Sequence, residues 1–373
     1  MKKILFVVNV DWFFESHRLE IAKRAISEGY EVHLACKNTG RFQYFESLGF
    51  LTHHLELGRS NTGIIHNCKN LIKLYLVIKK INPNICHFIT IKPIVFGGII
   101  SLFNSKTKSV YSITGLGSSF LSEVLHRRVR SYIIAKFYSF TFKKKNSIAI
   151  FQNTSDLTHI FPNYKNNFSK FKLIYGSGVD LKLFKEKTKD FDNELNVVMA
   201  SRALRDKGVR EFFEAACILK KKYNDKLNFY FYGEPDPENP TSISFDQLND
   251  LNKNNAVRVC GFSNKMHEVL NFAHILVLPS YREGFPKIVM EGSACGCISI
   301  VSNVPGCRDA ILDGKTGFLV KQKSPQSIVE SIEHCLLSRD NLPAMSKFAR
   351  KHAEENFSIS KIVEQHFELY AEF

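Results

Sequence analysis

The stretch Pro279-Ser-Tyr-Arg-Glu-Gly-Phe-Pro-Lys-Ile-Val-Met-Glu-Gly-Ser-Ala-Cys-Gly296 decides the fold of this 373-residue chain. Before it, His274-Ile-Leu-Val-Leu278 is an apolar run of strand length, stopped by Pro279. Pro286 has the fixed φ of a first helical turn and no amide hydrogen to leave unpaired, so a helix is expected to begin there. The unit therefore reads as buried strand, glycine-containing loop, helix. Glu283 falls on the loop at the helix mouth. Glu291 falls about 7–8 Å further along the axis, at roughly 1.5 Å per residue. Carboxylates that far apart share neither a proton nor a metal. Each can instead hydrogen-bond a different hydroxyl of one elongated ligand, with the helix N-terminus between them open to an anion. The same spacing also suits two solvated glutamates, their ordinary fate. Spacing alone leaves both readings open.

Outward from this unit, short apolar runs alternate with helical patterns. In the first half the runs are 4–8, 31–35, 85–89, 109–113, 148–151 and 172–175; in the second they are 195–200, 228–232, 256–259, 275–278 and 298–301. Such alternation predicts parallel sheets covered on both faces, twice over. A polar join lies near residues 180–194. The expected domains are 1–180 and 190–357, with a last helix (358–373) packing back on the first domain. In such sheets ligands lie at the carboxyl ends of the strands.

At 44% hydrophobic composition the chain is ample for two ordinary domains. Its net charge of +15 is unevenly placed: residues 1–180 hold 25 Lys and Arg against 10 Asp and Glu, whereas residues 181–373 hold 26 of each. An anionic partner for the first half follows: nucleic acid, an acidic lipid surface or a phosphorylated substrate. No helix-turn-helix, finger or RNA-binding signature accompanies the charge, which counts against nucleic acid. The basic groups 126–130 and 143–145 bracket the aromatic run 131–142. That pattern fits a helix lying in an anionic membrane interface, or a core helix with polar ends. No run approaches the ~18–20 apolar residues of a membrane span. Nine scattered cysteines show no paired CxxC, and Cys295-Gly-Cys297 lacks histidine partners, so they read as reduced core residues of a cytosolic protein. The opening Met1-Lys-Lys-Ile-Leu-Phe-Val-Val begins like a signal peptide, but Asn9 and Asp11 interrupt it and no small-residue cleavage site follows. A first buried strand is expected there.

The Glu-x7-Glu pattern within PSYREGFPKIVMEGSACG resembles the C-terminal signature of the retaining, GT-B-fold glycosyltransferases of family 4. Further matching segments are Leu195-Asn-Val-Val-Met-Ala-Ser-Arg-Ala-Leu-Arg-Asp-Lys-Gly208, Val304-Pro-Gly306 and Asp313-Gly-Lys-Thr-Gly-Phe-Leu-Val320. The resemblance is strong over 173–320 and weak before it. It implies an α/β GT-B architecture of two Rossmann-like domains facing across a cleft, and a nucleotide-sugar donor, UDP-linked, bound by the second domain. By that resemblance Arg202 and Lys207 embrace the diphosphate and serve catalysis with Glu283. Glu283 with the amides of Gly284 and Phe285 holds the sugar, Pro286 and Lys287 complete the helix mouth, and Glu291 holds the ribose. Val259-Cys-Gly-Phe262 matches the segment whose backbone receives the base, so Cys260 and Gly261 enter by main-chain atoms. Tyr175-Gly-Ser-Gly-Val-Asp180 resembles the interdomain segment; a plain turn is its other reading.

The first half departs from the family. Where many members carry two glycines after the first strand, Asn9-Val-Asp-Trp-Phe-Phe-Glu-Ser-His-Arg18 stands here; where many carry His-Gly, Thr114-Gly115 stands. His17, Arg18, Thr114 and Gly115 are candidate acceptor-side contacts, and His87, ending a strand, points toward ligand or core. Asp190-Phe-Asp192 is formally a DxD metal motif, but it lies in the polar join and not at a strand end, so neither a metal nor any other cofactor is expected. A diphosphate leaving group gathers negative charge, and Arg202 and Lys207 can neutralise it. The wording of SRALRDKGVREFFEAA and LPSYREGFP most resembles enzymes that extend undecaprenyl-diphosphate-linked sugars in bacterial glycan assembly, N-acetylgalactosaminyltransferases among them. The expected acceptor is then a lipid-linked saccharide at the inner face of the cell membrane, which would suit the basic first half. An isomerase of the UDP-N-acetylglucosamine 2-epimerase kind and a catalytically silent partner subunit are the rival readings.

Overall fold

The computed structural model describes residues 1–58, 63–103, 107–116, 136–138, 141–142, 145–162 and 170–372. Most of the basic–aromatic segment 126–145 lies outside the described residues. Tyr138, Thr141 and Phe142 within it are buried. The chain divides into two compact units, Met1–Ser177 with Ser360–Phe373, and Gly178–Ile359.

The first unit is a seven-stranded sheet in the order β3-β2-β1-β4-β5-β6-β7. Its strands are β1 (Lys3–Val10), β2 (Glu31–Lys37), β3 (Leu51–His54), β4 (Ile85–Ile89), β5 (Lys108–Ile113), β6 (Ser147–Phe151) and β7 (Phe171–Leu173). Every pairing is parallel. Parallel strands need crossovers, supplied by α1 (Asp11–Ser27), α2 (Phe42–Ser47), α3 (Ile64–Ile81), α4 (Ile91–Phe103) and α5 (Thr154–Ile160). β4 and β6 are buried along their whole length, as strands covered on both faces must be. Strand β3 was not expected from sequence: Leu-Thr-His-His is a short edge strand whose residues are all at least partly exposed, and it lacks an apolar run.

The second unit is a six-stranded parallel sheet, order β10-β9-β8-β11-β12-β13. It comprises β8 (Leu195–Ala200), β9 (Leu227–Tyr232), β10 (Val257–Gly261), β11 (Ile275–Leu278), β12 (Ile298–Ser302) and β13 (Gly317–Val320). The helices are α6 (Val209–Tyr223), α7 (Phe245–Leu251), α8 (Met266–Phe272), α9 (Lys287–Ala294), α10 (Cys307–Ala310), α11 (Pro325–Leu337) and α12 (Leu342–Asn356). Helix α6 buries Val209, Phe212, Phe213, Ala216 and Leu219 on one face and ends in Lys220, Lys221 and Lys222, which suit the negative end of its dipole. Ser244 and Gln247 form a capping box on α7.

The last helix, α13 (Ile359–Ala371), brings His366 and Tyr370 into the core of the first unit. His87 Nδ1 lies 2.7 Å from the Tyr370 hydroxyl, and its Nε2 lies 2.6 Å from Ser112 Oγ. Burial pushes His366 down to about 3, with the neighbouring Arg18 guanidinium adding to the effect. His87 is held well below its ordinary value by burial, then by His366 and Arg18. Both folded values lie below that of an unfolded histidine, about 6.5, so the unfolded chain takes up protons first as pH falls. Stability is therefore full above about pH 6.5 and declines below it, by up to about 1.4 kcal/mol per pH unit for each histidine. His366→Gln should make the fall in urea-unfolding free energy between pH 6 and 4 shallower by about one proton. An unchanged slope would remove His366 from this account.

Candidate active site

Lys207 and Glu283, two of the residues singled out in the sequence, meet beyond the carboxyl ends of β8 and β11. Beyond β8 the chain passes Arg202 and a 3-10 turn, Arg205–Lys207, then leaves through Gly208 at φ +75°. A Cβ on Gly208 would stand 2.3 Å from the Pro279 carbonyl oxygen, so glycine alone allows this approach to the end of β11. The approach brings Lys207 to Glu283, Nζ to Oε1 2.5 Å, and Ser280 Oγ donates to the same oxygen at 2.7 Å. These side chains retain 21% and 12% exposure respectively for Lys207 and Glu283, enough for a ligand to reach them. The turn and the loop are also joined by backbone: the Tyr281 amide donates to the Asp206 carbonyl at 2.8 Å. The Tyr281 hydroxyl donates to Glu211 at 2.6 Å, and Gln322 donates to the Tyr281 carbonyl at 2.8 Å. Burial, then Glu211, pushes the Tyr281 phenol well above its ordinary value, keeping it a donor.

Behind the loop stands Gly306, at φ +81°. A Cβ there would fall 2.3 Å from the Gly284 carbonyl oxygen and 2.7 Å from that of Glu283. Val304-Pro-Gly306 thus sets the path of the loop. Phe285 is buried, its ring edge-on to Phe357 with centroids 5.4 Å apart. Pro286 is the residue before α9 and not its first turn; the helix proper begins at Lys287. On α9, Glu291 is 8% exposed, with Lys287 Nζ 3.5 Å from its Oε1. Burial raises the Glu291 carboxyl above its usual range, and Lys287 opposes that in part. Glu291 is therefore no solvated surface group.

Arg202 pairs with Asp236 through a short contact, and both remain partly exposed. At the end of β10, the Gly261 carbonyl accepts from the Gly233 amide at 2.8 Å, and the Phe262 amide reaches Glu234 at 3.4 Å. Cys260 is half-buried with its Sγ 3.5 Å from the Arg258 carbonyl. Arg205 and Arg210 face solvent. Asp190 accepts from the Asp192 amide at 2.9 Å and from Asn193 at 2.6 Å, an Asx turn that occupies both its oxygens. Among the described residues, no three His, Cys, Asp or Glu side chains are grouped as metal ligands.

The arrangement is thus two cations beyond the carboxyl end of β8, each resting on a carboxylate, with Lys207 held at the loop before α9. An anion of two or more charges can compete with Glu283 and Asp236 for them. Ser280 and Tyr281 were legible as part of the quoted stretch but carried no assigned role. Asp236 lies in Glu234-Pro-Asp-Pro-Glu238, which has no periodicity to mark it.

In the first unit, Thr114 and Gly115 follow β5, Gly115 at φ +125°. His17 is half-buried on α1, its ring stacked on Phe13 with centroids 4.2 Å apart and planes at 7°. Arg18 departs from the expected acceptor contact. It is 1% exposed and donates to the His17 carbonyl at 2.8 Å, so it faces the core and no ligand surface. Burial lowers its guanidinium to about 10. His87 likewise resolves to the core.

The description "Glycosyl transferases group 1" matches residues 181–352, and "Glycosyl transferase 4-like" matches residues 3–153. The N,N'-diacetylbacillosaminyl-diphospho-undecaprenol alpha-1,3-N-acetylgalactosaminyltransferase of Campylobacter jejuni is 29% identical over 365 residues, covering 95% of this chain and 94% of that protein. The UDP-Gal:alpha-D-GlcNAc-diphosphoundecaprenol alpha-1,3-galactosyltransferase of Escherichia coli is 24% identical, covering 92% and 89%. Among solved structures, Anabaena HepE in complex with UDP and glucose superposes with a TM-score of 0.78 at 18% identity, covering all of both chains. The sucrose-phosphate synthase of Thermosynechococcus elongatus gives 0.80 at 17% identity, covering 100% and 99%.

Gly306→Ala should displace the 283–284 loop, since backbone oxygens and not flexible side chains lie in the way. A loss on the order of 2–3 kcal/mol is expected from forcing a side chain into that conformation. Urea unfolding measures it, and an unshifted midpoint would show that the loop does not depend on Gly306.

Proposed function

The chain belongs to the glycosyltransferases of the GT-B fold, with a glycosyl transferase 4-like first half and a group 1 second half, and from that premise we propose that it moves an N-acetylhexosamine such as GalNAc from a UDP-sugar to a polyprenyl-diphosphate-linked saccharide, with retention at the anomeric carbon. The observation that carries this reading is the Lys207–Glu283 pair at the mouth of α9. Lys207 and Arg202 take the diphosphate, releasing Glu283 and Asp236 from their present partners. Glu283 then accepts from sugar hydroxyls, with the Gly284 and Phe285 amides and Lys287 beside it, and Glu291 accepts from the ribose. Cys260 and Gly261 meet the base through their main chain. The names of the relatives, two of which act on undecaprenyl-diphosphate-linked saccharides, support the acceptor class.

Retention follows from same-face attack. The C1–O bond to the diphosphate breaks as the acceptor hydroxyl approaches from the same side, and the departing phosphate oxygen takes the hydroxyl proton. Charge on that phosphate grows as the bond breaks, so the two cations act most strongly in the transition state. No metal is assigned a role. His17, Thr114 and Gly115 remain the acceptor-side residues of this reading.

With excess EDTA present, UDP release should require added lipid-diphosphate saccharide. Lys207→Ala and Arg202→Ala should each lower that turnover by roughly 10²-fold, while the affinity for the donor falls less. Acceptor-independent turnover of nucleotide sugar would favour an isomerase, and no turnover at all a silent subunit. Near-normal turnover in either variant would remove these residues from the diphosphate.

A lipid acceptor implies contact with the membrane surface. Among the described residues no helix is long and apolar enough to cross a membrane. Helix α3 does leave Ile64, Ile65, Ile72 and Leu76 exposed beside the exposed Lys69, Lys73 and Lys79. Apolar side chains interleaved with lysines suit a helix lying on anionic lipid, at about 1 kcal/mol per basic residue. Binding to phosphatidylglycerol vesicles should weaken steeply with salt and fall further in a Lys69→Ser, Ile72→Ser, Lys73→Ser variant; equal binding by both proteins would assign α3 no part in it.

A further inference from the structure

Strand β1 lies inside the first sheet, between β2 and β4, and its carboxyl end carries a feature that the donor-side reading does not use. Asp11, the first residue of α1, is fully buried. Its carboxylate accepts from the Trp12 amide at 2.7 Å, the Thr39 amide at 2.5 Å, the Thr39 hydroxyl at 2.6 Å and the Arg41 amide at 3.3 Å. Arg41 in turn pairs with Glu15 at 2.8 Å. These bonds fix the backbone of Trp12 to the loop that follows β2. The Trp12 side chain is nonetheless 41% exposed, and it is the sole tryptophan of the chain. Phe13 stands edge-on to it with centroids 6.3 Å apart, and His17 braces Phe13 from its other neighbour position by stacking.

Three residues before Trp12 in the chain, and at the end of the adjoining strand, two polar side chains lack partners. Val7 of β1 lies opposite Phe88 of β4, so two residues further on Asn9 and Thr90 stand at adjoining strand ends. Asn9 Oδ1 and Thr90 Oγ1 are buried without a hydrogen-bond partner. Thr90 is also held at φ +73°, a conformation that β-branched residues seldom adopt and that collects at ligand sites. Buried polar atoms of this kind are normally completed by an ordered water or a ligand hydroxyl.

We propose that Trp12, with Asn9 and Thr90 at the neighbouring strand ends, is a saccharide-stacking subsite for the acceptor. This rests on the transfer reading above and adds the part of the acceptor bound. An indole face takes the C–H face of a pyranose ring, while an amide oxygen and a hydroxyl take its hydroxyls. The diphosphate is a poor fit to this position, because the Asp11 carboxylate already lies at the N-terminus of α1 where an anion would bind. The uncharged sugar is the part that suits it.

A sole tryptophan makes the test direct. Emission of the intact protein is titrated with GlcNAc-diphospho-octyl, a water-soluble probe, and separately with octyl diphosphate and with UDP. The sugar-bearing probe should shift or quench the emission saturably, and the other two should not. In transfer assays Trp12→Ala should raise the KM for the probe at least tenfold, with kcat falling less and the KM for the nucleotide sugar unmoved. Trp12→Phe, which keeps an aromatic face, should restore most of the loss. An equal response to octyl diphosphate, or an acceptor KM unmoved in Trp12→Ala, would overturn the subsite. If the sugar-bearing probe moves the emission but no lipid-diphosphate saccharide is ever elongated, the transfer reading falls and the subsite stands. Transfer that proceeds with unmoved emission does the reverse.

Discussion

The Lys207–Glu283 ion pair depends on two close backbone approaches, and the loop that carries Glu283 is held by both. Gly208 lets the turn after β8 lie on the Pro279 carbonyl, and Gly306 lets the segment after β12 lie on the carbonyls of Glu283 and Gly284. Neither approach tolerates a Cβ. Around them Ser280, Tyr281, Glu211 and Gln322 fix the same loop by hydrogen bonds. A cation held this way is placed before any ligand arrives, as the electrostatic role proposed for it requires. Arg202, more exposed and resting on Asp236, is the more adjustable partner.

The two units meet their polar burdens differently. In the second, three half-buried or buried charges lie close to opposite charges: Lys207 with Glu283, Lys287 with Glu291, Arg202 with Asp236. In the first, Arg18 is buried beside neutral histidines and Tyr370, with its Nε left without a partner. An unpaired buried charge is costly, so the contacts of α13 that surround it must offset that cost. This makes the last helix part of the fold of the first unit.

Much of this was legible in the sequence because parallel strands buried on both faces advertise themselves as apolar runs. Ile85–Ile89, Leu195–Ala200 and Ile275–Leu278 coincide with their runs. The edge strand β3 was missed because an exposed edge needs no such run, and β13 because glycine opens it and only four residues form it. Glu283, Lys207 and Glu291 could be singled out because a loop motif fixes their neighbours, and the structure brings the first two into contact and buries the third. Arg18 was misjudged for a physical reason: position on a helix near a strand end does not say which way a long side chain turns, and this one turns inward. Trp12, Asn9 and Thr90 escaped notice because their interest lies in exposure, strain and missing partners. None of these is a sequence property.

The central claim is that Lys207 and Arg202 form a diphosphate site in the second unit, and the affinity ratio of UDP to UMP tests it most directly. Calorimetric titration of the intact chain should show UDP binding at least tenfold more tightly than UMP, a difference of about 1.4 kcal/mol. In a Lys207→Met, Arg202→Met variant that advantage should vanish while UMP affinity changes little. A ratio that stays the same in the variant would contradict the assignment, and with it the account of how the leaving group is held.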